Sequence, residues 1–304
     1  MVAKVVGFHA ERSLGVVQFG TSGQNSIQYI SSSKAIKEKL IEVREVSEAG
    51  SVNLLSVVNF SDFLVFLMDG DILSGAKQNR IVNTSMLLAP HSKTRIPVSC
   101  VERGRWNRRS DTFDSTLCAA PGSFRGEKAR EVRANLKLHK GFAAEQNALW
   151  DRVRRVNAEA GASSSTEDLA DGLSTQQAGI DSLLRACSAE PHANGIALFV
   201  GRRLSSLDLF NRTEVCAEYL PKLVRGAARE LLPSATDPIG HAEAEYRTLT
   251  LLDTLEGLPG EEYQAAGVGT DRRFESIGLA GFRLDYGVHL IHMAAFSSAG
   301  LEAA

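Results

Sequence analysis

The sequence predicts an α+β protein, a mostly antiparallel sheet built of hairpins with flanking helices in the middle and C-terminal third. Three observations point there. Short apolar runs joined by tight-turn signals occupy both ends of the chain, helical periodicity occupies the centre, and the composition is that of a globular protein. The elements follow in order. Residues 5–19 read as short strands about a turn at Arg12–Gly15. Residues 34–45 (KAIKEKLIEVRE) fit a short helix or an amphipathic strand. FLVFLM at 63–68 is continuously apolar, as in a strand covered on both faces, and Asp69-Gly70 after it is a tight-turn signal. Residues 81–88 read as a strand, 90–93 turn the chain, and RIPVSCVE at 95–102 is the next strand. Its alternation places Ile96, Val98, Cys100 and Glu102 on one face. Pro97 argues for an edge or a bulge there.

Leu149, Val153 and Val156 form a helical stripe within 142–156. GASSS at 161–165 breaks it, with Ser165 or Thr166 positioned to cap the next turn and Asp168 near its N-terminal end. Residues 196–200 and 204–210 flank Gly201-Arg202. A helix carrying Val215, Tyr219, Leu223, Ala227 and Leu231 follows, and 282–284 and 288–293 flank a second turn at 285–287. With 63–73 this makes three hairpin-like units, too irregularly spaced for a solenoid or propeller. We expect one α+β domain over 1–304, with a helical insert at roughly 122–190.

At 304 residues the chain can bury most of its apolar surface; it is 43% hydrophobic and 23% charged. No run is long enough to span a bilayer and the N-terminus lacks a signal-peptide core, so the expected location is cytoplasmic, away from the membrane. Cys100, Cys118, Cys187 and Cys216 are dispersed and form no C-x-x-C pair, which argues against a disulfide framework or a cysteine-rich zinc site. Charge is uneven. The 77–109 window holds eight basic residues and one acid, Glu102, for a net +7 in a chain of net −2, leaving −9 elsewhere. This is a local footprint for an anionic ligand. The overall charge and the lack of a recognised module argue against nucleic acid.

Two segments of that window carry chemistry. GAKQNR (75–80) offers an ammonium in Lys77, amides in Gln78 and Asn79 and a planar fork in Arg80, a set suited to phosphate, ribose or carboxylate. SCVERGRW (99–106) contains Glu102, whose cationic neighbours keep it ionised. It is a candidate general base, water-orienting group or metal ligand, or else an ion-pairing partner of Arg103, Arg105 or Lys77. Arg105 fits a phosphate; Trp106 fits a stacking platform or a core anchor. Cys100 reads as a buried strand cysteine before an activated nucleophile, and His91 as a solvated turn residue. In VGTDRRFES (268–276), Arg273 is a further anion contact if the loop meets the first two. Gly267-x-Gly269 belongs to no complete phosphate-loop fingerprint, and G-x-S-x-G is absent. His289 and His292, three apart in a strand, point to opposite faces and make no metal pair. No motif indicates a cofactor.

GDILSGAKQNRIVNTSMLLAP with IPVSCVERGRW closely resembles the ADP-ribosylglycohydrolase- and rhodanese-phosphatase-associated protein domain. Gln146 with Trp150, GIALFVGRRLSSLDLF leading into YLPKLVRGAARE, and GVGTDRRFES with VHLIHMAAF are similar to it too, so the resemblance spans nearly the whole chain. It implies a role in ADP-ribose or related phosphate metabolism and association with ADP-ribose-processing enzymes, and brings no assigned reaction. Three readings stand: hydrolysis of a nucleotide-derived or phosphorylated ligand, with Lys77, Arg80 and Arg105 clamping the anion, Gln78 and Asn79 fixing it and Glu102 activating water; a sensor of such a ligand without turnover; or a basic face that docks an acidic partner. Oligomeric state is not legible.

Overall fold

The computed structural model describes residues 2–48, 50–159, 161–174, 177–231 and 237–297. In chain order the elements are β1 (Ala3–Glu11), β2 (Leu14–Thr21), β3 (Ile30–Ser31), α1 (Ser32–Lys37), β4 (Ile41–Glu45), β5 (Leu54–Asn59), β6 (Val65–Leu67), β7 (Asp71–Gly75), β8 (Arg80–Val82), β9 (Met86–Leu88), β10 (Ser92–Cys100) and β11 (Phe113–Ala119). Four helices follow: α2 (Gly122–Lys137), α3 (Gln146–Glu159), α4 (Leu169–Ser174) and α5 (Gln177–Ala186). The final third holds β12 (Gly195–Val200), β13 (Arg203–Phe210), α6 (Thr213–Ala227), α7 (His241–Gly257), β14 (Glu261–Gln264), β15 (Thr270–Ser276), β16 (Leu279–Tyr286) and β17 (His289–Ser297). The α+β class with antiparallel sheets is the observed one.

An eight-stranded antiparallel sheet runs β1-β2-β12-β13-β17-β16-β15-β14, and a six-stranded one runs β11-β7-β8-β10-β5-β4. A small sheet, β3-β6-β9, contains the parallel pair β3–β6. The large sheet is apolar on both faces, which is why its strands read as runs and not as alternation. Leu14, Val16, Ile196 and Leu198 face a core shared with Val215, Tyr219 and Leu223 of α6. Their neighbours Val17, Phe19, Ala197 and Phe199 face Ala244, Leu252 and Leu255 of α7. Helix α2 lies against β13, β16 and β17.

Local readings divide at places with physical causes. Residues 34–45 are neither wholly helix nor strand: α1 ends, Lys39 takes a positive φ of 56°, and β4 begins. The expected strand over 81–88 is two, because Asn83, Thr84 and Ser85 turn away between β8 and β9 into different sheets. Residues 63–73 do not form a hairpin; β6 pairs with β3 and β9, while β7 pairs with β8 and β11. The units at β12–β13 and β16–β17 do pair. Pro97 sits inside the six-stranded sheet, where the β10 ladder with β5 ends and its ladder with β8 starts, a point at which a missing N–H is tolerated. Gly70 is required by its site: φ is +83°, and a Cβ there would lie 2.7 Å from Arg125 Cδ.

Candidate functional site

The sheet end at β7–β8 gathers GAKQNR and ERGRW, the two polar segments singled out in the sequence. Asn79 is the hub. Its backbone N–H donates to Glu102 Oε2 (3.0 Å), and its side-chain Nδ2 donates to Asp168 Oδ2 (2.7 Å). Its Oδ1 accepts from Gly75 N (3.1 Å) and Arg105 Nη2 (3.2 Å). Arg105 grips Glu102 with two prongs, Nε to Oε1 at 2.7 Å and Nη2 to Oε2 at 2.6 Å, and donates to the Ala76 carbonyl at 2.7 Å. Thr166 Oγ1 completes the set on Glu102 Oε1 at 3.1 Å.

Glu102 is therefore 0% exposed with two donors on each oxygen. Burial pushes its carboxyl up, but the Arg105 hydrogen bond, the Asn79 amide and the Arg105 charge outweigh that, so it lies below the usual range. In this geometry Glu102 clamps the two segments and offers water no open lone pair. Thr166 serves this clamp; it is Asp168 that accepts from Ala170 N at the start of α4, with Ser164 Oγ accepting from Asp168 N.

Asp168 is the acid that sequence reasoning passed over. A backbone bridge brings it to Glu102. Burial raises its carboxyl to about 7; the Ala170 N–H opposes this, and the Glu102 charge adds to it. The two acids are thus driven apart, one ionised and one poised near neutrality, as in acid–base pairs. No sequence signal tied residue 168 to residue 102, because the contact spans a helix and a loop.

The outward side of the site consists of Trp106 and Lys77, with the buried Arg80 guanidinium behind the ring. The indole is 45% exposed, so it is not a core anchor. Lys77 Nζ lies 5.4 Å and the Arg80 guanidinium 5.8 Å from its ring centroid. Arg80 is buried and donates to Gln78 Oε1 (2.9 Å) and Cys100 Sγ (2.7 Å); Glu45 Oε1 lies 3.7 Å from its Nη2. Lys77 Nζ donates to the Glu48 carbonyl at 2.5 Å. Gly50, with φ +80°, packs beside this group. A Cβ on it would lie 3.5 Å from Glu45 Oε2, 3.5 Å from Trp106 Cζ2 and 3.6 Å from Lys77 Cδ. Gln78 accepts from both Arg80 and the Cys100 thiol, so it supports the site from below. Cys100 is buried, and burial raises its thiol to about 11, against nucleophilic use. His91 is exposed at a turn and bonds Asp62.

Arg273 does not join this group. Its guanidinium donates to Asp271 at 2.6 and 2.8 Å and to Thr84, over the Phe282 ring. It belongs to a second polar network, wholly buried, between α2 and the large sheet. There Arg125 donates to Asp208 at 3.0 and 2.6 Å and to Asp69 at 3.1 Å, and Lys128 bonds Asp69. Ser85 Oγ lies 2.8 Å from His292 Nδ1, and His292 Nε2 lies 3.3 Å from Asp208 Oδ1. The order Ser–His–Asp invites a hydrolase reading, but all three residues are buried to 1% exposure or less, and no substrate carbonyl reaches the hydroxyl. His289 bonds Ser26 near the surface, so the two histidines diverge.

A family model described as ARPP-1, the ARG and Rhodanese-Phosphatase-superfamily-associated Protein domain, matches residues 4–296. The chain belongs to that family. The ARPP-1 match takes in β1 through β17, hence both polar networks. The family is associated with ADP-ribosylglycohydrolase and rhodanese-phosphatase enzymes. No curated protein and no solved structure is detectably similar to this ARPP-1 chain. Among its described residues, no helix is long and apolar enough to cross a membrane.

Proposed function

We propose that this ARPP-1 chain binds an ADP-ribose-like, nucleotide-derived or otherwise phosphorylated small ligand at the sheet end. Trp106 stacks the base or sugar, Lys77 meets the anion with the buried Arg80 charge behind it, and Glu102, Arg105, Gln78 and Asn79 hold the frame. The observation that carries this reading is the convergence of an exposed indole with Lys77 and with the buried Arg80 guanidinium behind it. A metabolic setting shared with ADP-ribose-processing enzymes agrees with the family association. Calorimetric titration with ADP-ribose tests it. Saturable binding at physiological salt is expected, weakened about tenfold or more in Trp106→Ala, since stacking on an aromatic ring is worth about 1–3 kcal/mol per base. No binding by the wild-type chain ends the reading, and an unaffected Trp106→Ala removes the stacking role.

A hydrolytic role draws its pH dependence from the Glu102–Asp168 pair. Neither acid is more than 3% exposed and the Asp168 oxygens take the Ala170 N–H and the Asn79 amide, so the pair acts on the ligand through the Asn79 frame; the charge that Asp168 gains near 7 weakens anion binding and turnover as pH rises through about 7. Glu102→Gln removes the charge that helps hold Asp168 up, so this limb moves to lower pH in a folded variant. A pH profile flat around 7, or a limb that Glu102→Gln leaves in place, excludes the pair. Binding with no product after long incubation identifies a ligand-sensing module instead.

A further inference from the structure

Glu45, at the end of β4, is, after Asp168, a second acid that enters the site from outside its two segments, and it lies on the side of Lys77, Arg80 and Trp106. Both of its carboxylate oxygens are buried, and neither has a hydrogen-bond partner within the described chain. The Arg80 Nη2 contact, at 3.7 Å, is an ion pair too long for a hydrogen bond. A charged group stripped of water and left without donors is costly, so this position calls for donors supplied from outside the chain. One of those oxygens, Oε2, lies beside Gly50 with the Trp106 ring and the Lys77 stem: a Cβ on Gly50 would stand 3.5 Å from Oε2, 3.5 Å from Trp106 Cζ2 and 3.6 Å from Lys77 Cδ.

The chemistry that these two oxygens ask for is specific. Two adjacent acceptor oxygens want two adjacent donors. Phosphate brings only acceptors and is repelled by the carboxylate. The vicinal hydroxyls of a ribose supply two donors at the spacing of a carboxylate, the arrangement by which acidic residues hold ribose in dinucleotide sites. Arg80 Nε, also buried without a partner, leaves a donor for a ligand oxygen. We propose that Glu45 is the hydroxyl-recognition residue of this site, taking the ribose diol of the ligand and selecting nucleotides over simple phosphates. This inference rests on the ligand-binding reading above.

The test is calorimetric titration of the full chain and of Glu45→Gln with ADP, 2′,3′-dideoxy-ADP and pyrophosphate, with thermal melting to confirm that the variant is folded. The wild-type chain is expected to bind ADP about tenfold or more tighter than the dideoxy analogue, the scale set by leaving a buried recognition group unpaired. Glu45→Gln is expected to erase that preference while binding pyrophosphate at least as well. Equal wild-type affinity for ADP and dideoxy-ADP overturns the role of Glu45 and leaves the anion site standing; this comparison needs no variant. A Glu45→Gln chain that keeps the preference also overturns it. Absence of wild-type binding to all three probes removes the ligand site and this inference with it.

Discussion

Asp208→Ala is expected to destabilise the chain by about 3–5 kcal/mol, the scale for breaking a buried ion pair from one side. Asp208 receives both terminal nitrogens of Arg125, which is itself fully buried over the Phe296 ring. Without it, Arg125 must share Asp69 with Lys128, leaving two buried cations on one carboxylate. The elements tied by these bonds are β13 of the eight-stranded sheet, helix α2, and the turn before β7 of the six-stranded sheet. The measurement is the urea midpoint with unchanged m-value. As a contrast, Arg133→Ala at the half-exposed Glu261 and Glu275 pairs should cost no more than about 1 kcal/mol. A cost for Asp208→Ala in that smaller range would mean that the network is not a keystone.

The same residue sets an acid limb. Burial pushes the Asp208 carboxyl up, but the charge and hydrogen bonds of Arg125 and the His292 contact outweigh it and hold it far below the usual carboxylate range. A carboxyl depressed on folding contributes stability that is present in full above its unfolded value of about 4 and is lost as pH falls below it. The penalty of Asp208→Ala should therefore shrink as the solution is acidified through that range.

Glu102→Ala is expected to cost a comparable amount, about 3–5 kcal/mol, and to abolish ligand binding as well. Removing the carboxylate strands the Arg105 guanidinium, which is 5% exposed, together with the Asn79 amide and the Thr166 hydroxyl. The 75–80 and 102–106 segments then lose the group that joins them, and Trp106 loses its fixed place beside Lys77 and Arg80. Amide hydrogen exchange reads this locally. Asn79 N–H, bonded to Glu102, should lose protection far more than the β12–β13 ladder. Uniform protection with binding intact would assign the clamp to Arg105's backbone contacts alone.

Much of this was legible in the chain. The large sheet announced itself through runs such as GIALFV, because strands covered on both faces have no alternation to hide. The turn at Asp69-Gly70 was legible because its positive φ favours glycine, and the close approach of Arg125 leaves no space for a Cβ there either. Residues 75–80 and 102–106 stood out because long polar side chains at a sheet end exceed what a turn needs. The split of 81–88 was not legible. Thr84 and Ser85 look like strand residues until Asp271 and His292, some two hundred positions away, claim their hydroxyls.

The chain alone, then, determined the class, the major strands and helices, the family and a cationic stretch at 77–109, since periodicity, turn chemistry and charge are local properties. Tertiary structure decided how that set divides. It turned Glu102, Gln78, Asn79, Arg105 and Arg80 inward as a frame, left Lys77 and Trp106 on its outward side, removed Arg273 to the central network, and brought Asp168 and Glu45 against the frame. The reason is desolvation. Whether a charged side chain clamps the fold or awaits a ligand depends on how many donors and acceptors distant segments bring to it, and that count exists only once the chain is folded.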